Sequence, residues 1–242
     1  MSTVTTQRTD SIACGETANM DLHVWTPDGP GTASILLIQE IFGVSTYIRA
    51  VAERLAAAGY VVGAPDVFWR FHPHWAADHD EAGLNASFGM VQQLDVPLAI
   101  ADCAAALAHL GSSAFGDQGV VRRAPGVLGF CLGGTLAWGV AAAAEPSVCV
   151  SYYGSGVPDM LGMIDDVHCP TLLHFGNTDA FIATEGVDRI GAAIAGRQGF
   201  VLNIENAGHA FDNHESEMFH DESAAKAAWA KTMAFLGLYL PA

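Results

Sequence analysis

Gly126-Val127-Leu128-Gly129-Phe130-Cys131-Leu132-Gly133-Gly134 is the stretch on which the reading of this chain turns. An apolar run, Val127 and Leu128, leads into a cysteine flanked by glycines, and Thr135, Leu136, Ala137, Trp138, Gly139 and Val140 then read as a helix. Strand, tight turn and helix with a cysteine on the turn is the thiol version of the nucleophile elbow. Small residues around the nucleophile let the backbone fold sharply without a Cβ clash. The following helix aims the positive end of its dipole at the sulfur, which favours thiolate over thiol. A small cysteine in a glycine-rich connection also serves as plain core, so the elbow by itself leaves both readings open.

Working outward, residues 33–39 form a continuous apolar run of strand length, the pattern of a strand covered on both faces, and Glu40 stands at its end. Ile48, Val51, Ala52 and Leu55 follow helical spacing up to Gly59, and residues 60–64 make a second buried strand closed by Pro65-Asp66. Strand, helix, strand at this spacing is a crossover, hence parallel pairing. Upstream, residues 20–26 alternate weakly and stop at Pro27-Asp28-Gly29-Pro30-Gly31, which predicts an early strand.

Downstream, residues 67–95 lack a clean period and read as an irregular connection with room for a short helix. Residues 97–110 read as a helix and 111–123 as a loop. After the elbow helix, strands are expected over 146–153, 171–175 and 200–204, and helices over 184–195 and 221–238. This alternation predicts an α/β fold: one doubly wound, mostly parallel sheet with helices on both faces, as a single domain over residues 1–242.

With 51% hydrophobic and 15% charged residues, the composition is that of a globular chain. No apolar run reaches membrane-spanning length, and residues 1–10 are polar with no signal-peptide pattern, so a cytoplasmic protein without a membrane partner is expected. The net charge of −16, with eight arginines and two lysines, argues against nucleic acid as a partner. Five cysteines without a C-x-x-C pair argue against a disulfide framework or a thiolate zinc site. His72, His74 and His79 cluster, as do His209, His214 and His220 with Glu215, Glu217 and Asp221. Loop spacing of this kind reads as solvated histidines, and no metal or cofactor is expected. No surplus apolar helix demands a partner, so a monomer is the expectation.

In an open parallel sheet the chemistry sits at the carboxyl ends of the strands. Four polar residues follow predicted strands directly: Glu40, Cys131, Asp179 and His209. Nucleophile, acid, histidine is the chain order of the α/β-hydrolase triad. His209 would accept the thiol proton and return it to the leaving group, with Asp179 fixing its tautomer. The elbow also predicts an oxyanion hole from the N–H groups of Leu132 and Ile41. Taken singly, Asp179 also reads as a helix cap and His209 as one loop histidine among ten. A carboxylate at the end of a buried strand has its pKa pushed upward, and Glu40 is read as a base toward the thiol, the alternative being an acceptor of backbone N–H groups.

Gln39-Glu40-Ile41-Phe42-Gly43, Ala64-Pro65-Asp66-Val67-Phe68, Gly129-Phe130-Cys131-Leu132-Gly133-Gly134, Tyr152-Tyr153-Gly154 and Gly208-His209-Ala210-Phe211 together resemble the dienelactone hydrolase (carboxymethylenebutenolidase) family, over roughly residues 20–238. The resemblance implies an α/β-hydrolase fold, a Cys131, Asp179, His209 triad and a role for Glu40 in generating the thiolate. It also implies two arginines that hold the substrate's carboxylate, and these have no counterpart here. No Lys or Arg lies between Arg70 and Arg122, and Asn213 stands about where the second arginine would be.

A thiolate leaves a tetrahedral adduct readily, so the partner leaving group must be good, as in enol and aryl esters. The expectation is a cysteine-dependent hydrolase of neutral or weakly anionic esters or lactones, a small-molecule substrate. Arg70, Phe42, Trp69, Tyr152, Phe211 and Asn213 are its candidate contacts, a structural ion pair being the other reading of Arg70. Phe68, Phe71, Trp75 and Phe88 are further candidates for an apolar wall, ordinary core being the other reading of the aromatics. Two other readings are a non-catalytic ligand-binding member of the fold and a thiol redox sensor at Cys131. The sensor would need an accessible resolving cysteine, and Cys103, Cys149 and Cys169 all read as buried.

Overall fold

The apolar runs read as doubly covered strands lie at the middle of an eight-stranded sheet, where helices shield both faces and no side of the strand meets water. The structure, a computed structural model, describes residues 6–15, 18–29, 31–112 and 123–242. Its strands are β1 (Thr6–Ala13), β2 (Asn19–Thr26), β3 (Ala33–Ile38), β4 (Tyr60–Pro65), β5 (Gly126–Phe130), β6 (Cys149–Tyr152), β7 (Thr171–Gly176) and β8 (Phe200–Glu205). The helices are α1 (Thr46–Ala57), α2 (Glu81–Val91), α3 (Val96–Leu110), α4 (Leu132–Ala144), α5 (Thr184–Ile194) and α6 (Glu222–Tyr239), with short 3-10 turns at Val157–Asp159 and Leu161–Asp166.

The order across the sheet is β1-β2-β4-β3-β5-β6-β7-β8. β1 and β2 pair antiparallel, as do β2 and β4, and every other pairing is parallel. Every residue of β3, β4, β5, β6 and β7 is buried, whereas the edge strands β1 and β8 are mixed. On one side α3 packs on α4. The Arg54 guanidinium of α1, stacked 3.8 Å over the Trp229 ring of α6, joins two other helices.

Register places the chemistry. Ile38 pairs with Gly129, Phe130 with Tyr152, Tyr152 with His174 and Gly176 with Glu205, so β3, β5, β6, β7 and β8 end in sequence along one edge of the sheet. Glu40, Cys131, Asp179 and His209 follow those strands within a few residues.

The irregular connection contains a full helix, α2, whose N-terminus is capped by the Asp80 side chain accepting from Gly83 N at 2.8 Å. The strand expected over 146–153 contracts to β6, with Cys149 as its first residue. The N-terminal segment, for which the sequence predicts no strand, supplies β1. Most of that edge strand faces outward, so it carries no apolar alternation to be read. Most of the loop expected over 111–123 lies outside the described residues. Among the described residues, no single helix is long and apolar enough to cross a membrane.

Candidate active site

Between β5 and α4 the chain turns through Cys131, whose backbone sits at φ 53° and ψ −115°. A non-glycine residue held there stores roughly 1–3 kcal/mol, which the surroundings must offset. Cys131 N donates to Tyr152 O at 3.0 Å and Thr135 N donates to Cys131 O at 3.1 Å, clamping the turn from both sides. The flanking glycines answer to contact rather than flexibility. A Cβ on Gly129 would stand 2.0 Å from Gly133 O, and one on Gly133 would stand 2.2 Å from Ile38 O. Cys131 thereby projects from the sheet edge, half-buried, while Cys14, Cys103, Cys149 and Cys169 are free and buried.

His209 Nε2 lies 3.2 Å from Cys131 Sγ, and His209 Nδ1 donates to Asp179 Oδ2 at 2.7 Å. The other Asp179 oxygen accepts from Phe181 N at 2.8 Å and Ile182 N at 3.1 Å, which fixes the carboxylate before it meets the imidazole. The three residues, distant in sequence, thus form one hydrogen-bonded chain. Burial alone would lower the His209 pKa, but Cys131 and Asp179 outweigh it and lift it to about 10. An imidazole so held is positively charged at neutral pH, the partner a thiolate requires.

The sulfur opens on a cleft of about 130 Å³. Ile41, Phe42, Leu84, Phe88, Val91, Leu132, Phe181 and Phe219 supply its apolar wall, and Glu40, Ser155 and His209 its polar members. Leu132 opens α4, so its N–H belongs to the helix turn that has no carbonyl partner within the helix. The Ile41 peptide is anchored by Trp75 Nε1 donating to Ile41 O at 3.2 Å.

Glu40 is 1% exposed. Its Oε2 accepts from Asn213 Nδ2 at 2.7 Å, and its Oε1 has no hydrogen-bond partner. Desolvation dominates its titration. His209, Asn213 and Tyr153 pull the pKa down and Asp212 pushes it up, and the result is about 8. Burial thus favours the neutral acid, whereas a base toward the thiol would have to be the carboxylate.

Five expectations are corrected by placement. Arg70 does not reach the cleft: its guanidinium grips Asp102 through Nε and Nη2, both at 2.8 Å, and stacks 4.3 Å from the Trp69 ring. Trp69 Nε1 donates to the same Asp102 carboxylate at 3.0 Å, so both residues belong to a structural ion pair rather than a substrate contact. Tyr152 and Phe211 are fully buried beneath the site, Tyr152 bonded to Thr232 at 2.5 Å and Phe211 packed on Tyr153 with ring centres 5.2 Å apart. Asn213 is fully buried too, and its amide is used up on Glu40, on His79 Nδ1 at 2.7 Å and on Glu215 N at 3.1 Å. Of the other aromatic wall candidates Phe88 lines the cleft, whereas Phe68 lies in the core.

His79, expected as a solvated loop histidine, instead stacks on Phe42 with ring centres 4.2 Å apart and is bonded to Asn213. Tyr47 Oη donates to Asp212 Oδ2 at 2.8 Å and lies 3.5 Å from Tyr153 Oη. Burial lifts the Asp212 pKa to about 6 against the pull of Tyr47, Arg54 and His220. Among the described residues no group of three or more His, Cys, Asp or Glu side chains is placed to hold a metal.

The family model described as dienelactone hydrolase family matches residues 20–240. A carboxymethylenebutenolidase of Pseudomonas sp. (strain P51) is 34% identical over 215 residues, covering 88% of this chain and 88% of that protein. One from Rhodococcus opacus is 34% identical over 231 residues, covering 90% and 86%. The crystal structure of a dienelactone hydrolase from Anabaena variabilis ATCC 29413 superposes with a TM-score of 0.72 at 20% identity, over 98% of this chain and 99% of that one.

Proposed function

Since the chain belongs to the dienelactone hydrolase family, we propose that it hydrolyses uncharged, activated carboxylic esters or lactones through an acyl-enzyme on Cys131. The observation that carries this reading is the chain of contacts from Cys131 Sγ through His209 to Asp179, 3.2 and 2.7 Å, opening on an apolar cleft.

Catalysis starts from a thiolate beside an imidazolium. The sulfur attacks the substrate carbonyl, and the oxyanion is received by the N–H groups of Leu132 and Ile41, preorganised donors of the kind that supply much of the rate. Collapse expels the alkoxide or enolate, which takes its proton from His209 Nε2. The neutral imidazole then draws a proton from water, the hydroxide attacks the thioester, and collapse releases the acid and restores the ion pair. Asp179 holds the ring in the tautomer that presents Nε2 to sulfur and substrate throughout.

Substrate charge follows from the lining. Among the described residues neither Lys nor Arg lines the cleft, and Arg70 is committed to Asp102. A carboxylate entering an apolar pocket without a cation keeps most of its desolvation penalty. A neutral ester with an apolar or aromatic leaving group meets Phe88, Phe181 and Phe219 without that cost.

The test is turnover of a short aryl ester by wild type and Cys131→Ala, followed by a cis-dienelactone beside its methyl ester. Turnover that needs Cys131 and favours the methyl ester is expected. Equal rates in the two proteins would end the cysteine mechanism, and a preference for the free acid would end the neutral-substrate reading.

A further inference from the structure

We propose that Glu40 serves the cleft as a carboxylic acid: with Oε2 held by Asn213, its Oε1–H is the donor for a second, uncharged acceptor oxygen of the substrate, such as an ester carbonyl, and Asp212 helps keep the proton there. The proposal rests on the hydrolase reading of the same site.

The neighbours of Glu40 are all accounted for. The segment after β8 brings His209, Asp212 and Asn213. The end of β6 brings Tyr153, and α1 brings Tyr47, which ties Tyr153 to Asp212. His79 reaches it only through Asn213, and Cys131 shares the cleft. Among the described residues, the one group beside it able to carry positive charge, His209, is already engaged by Asp179 and Cys131. Asn213 is a neutral donor with no second hydrogen to spare for the carboxyl, since the other goes to His79.

An ionised carboxylate would therefore be buried beside a second buried acid, with neutral donors, the Asn213 amide and the nearby Tyr153 hydroxyl, as its hydrogen-bonding neighbours among the described residues. Protonation removes the charge and converts Oε1 from an orphan acceptor into a donor in need of a partner. Of the six buried side-chain atoms without a partner among the described residues, Glu40 Oε1 alone belongs to a residue lining the cleft. In this reading a substrate oxygen that enters the cleft beside Glu40 becomes its partner. On the far side of Tyr47, Asp212 lines an open groove of about 650 Å³.

Three readouts test this. In difference infrared spectra at about pH 6, a protonated-carboxyl C=O band present in wild type and lost in Glu40→Gln is expected. For the dienelactone methyl ester, wild-type kcat/KM is expected to fall above about pH 8 as Glu40 ionises, and Glu40→Gln, an amide donor of the same shape, to lack that fall. In Asp212→Asn the fall should move to lower pH by about one unit, because a like charge is gone. Glu40→Ala should lower the ratio of kcat/KM for the methyl ester over a plain aryl acetate at least tenfold, and equal losses on the two would overturn the substrate contact. A missing infrared band, or a Glu40→Gln protein whose Cys131 is alkylated by iodoacetamide tenfold more slowly, would overturn the acid in favour of a base. If wild type hydrolyses no ester, the hydrolase reading falls while the infrared band still decides the state of Glu40.

Discussion

Replacing Glu40 by glutamine should make the protein more stable at alkaline pH and change little in mild acid, because the neutral acid and the amide have nearly the same shape. In the fold the Glu40 carboxyl titrates at about 8 against an ordinary 4.5, with desolvation as the main cause. A folded-state pKa above the unfolded one means that the native protein holds this proton more tightly. The group's contribution to stability is therefore complete below about pH 4.5 and lost as the pH climbs to about 8. At about 1.4 kcal/mol per pH unit, the full rise corresponds to about 5 kcal/mol. For a chain of this size that is roughly 10–20 °C in Tm. Asp212, lifted to about 6, adds a decline of the same sign that ends near its own pKa and is common to both proteins. Urea unfolding of wild type and Glu40→Gln at half-unit steps from about pH 5 to pH 9 isolates the Glu40 part as the difference between two curves. The curves should start close and diverge steadily up to about pH 8, with glutamine the more stable. Curves that stay parallel would refute the argument, since they would mean that burial has not altered this carboxyl's titration.

Asp179→Asn should cut kcat by about 10³–10⁴-fold with little change in KM, since the ring loses its tautomer lock while the cleft is untouched; steady-state kinetics on the aryl ester reads this. Arg70→Met should cost about 2–4 kcal/mol in urea unfolding by leaving the Asp102 carboxylate without its cation, yet leave the preference for the methyl ester over the free acid as it was. A shift in that preference would return Arg70 to the substrate. Gly133→Ala drives a Cβ into Ile38 O and Gln39 O and should cost at least 3 kcal/mol or prevent folding, seen as loss of the cooperative unfolding transition.

The centre of the sheet was legible because strands covered on both faces leave uninterrupted apolar runs, as residues 33–38 and 60–65 do. The elbow was legible for a related reason: Gly129 and Gly133 stand where backbone carbonyls approach too closely for any Cβ, so the spacing is dictated by contact. β1 left no such trace, since an outward-facing edge strand can be built from TQRTDSIA without an apolar period. The contacts around the sulfur were the least legible part. Tyr152, Phe211 and Asn213 belong to or follow motif segments in sequence but are fully buried beneath the site. Phe181, Phe219 and Leu84 come instead from segments that sequence order does not connect with the elbow. The raised pKa of Glu40 comes from burial with Asn213 as a neutral partner, and only the fold makes that burial visible.

Cys131 as the acyl carrier is the central claim, and intact-protein mass spectrometry of wild type quenched in acid during turnover of an aryl ester tests it most directly. The account predicts an added mass equal to the acyl group, mapped to the peptide bearing Cys131, accumulating in His209→Ala and absent from Cys131→Ala. An acyl group on any other residue, or turnover that persists in Cys131→Ala, would contradict it.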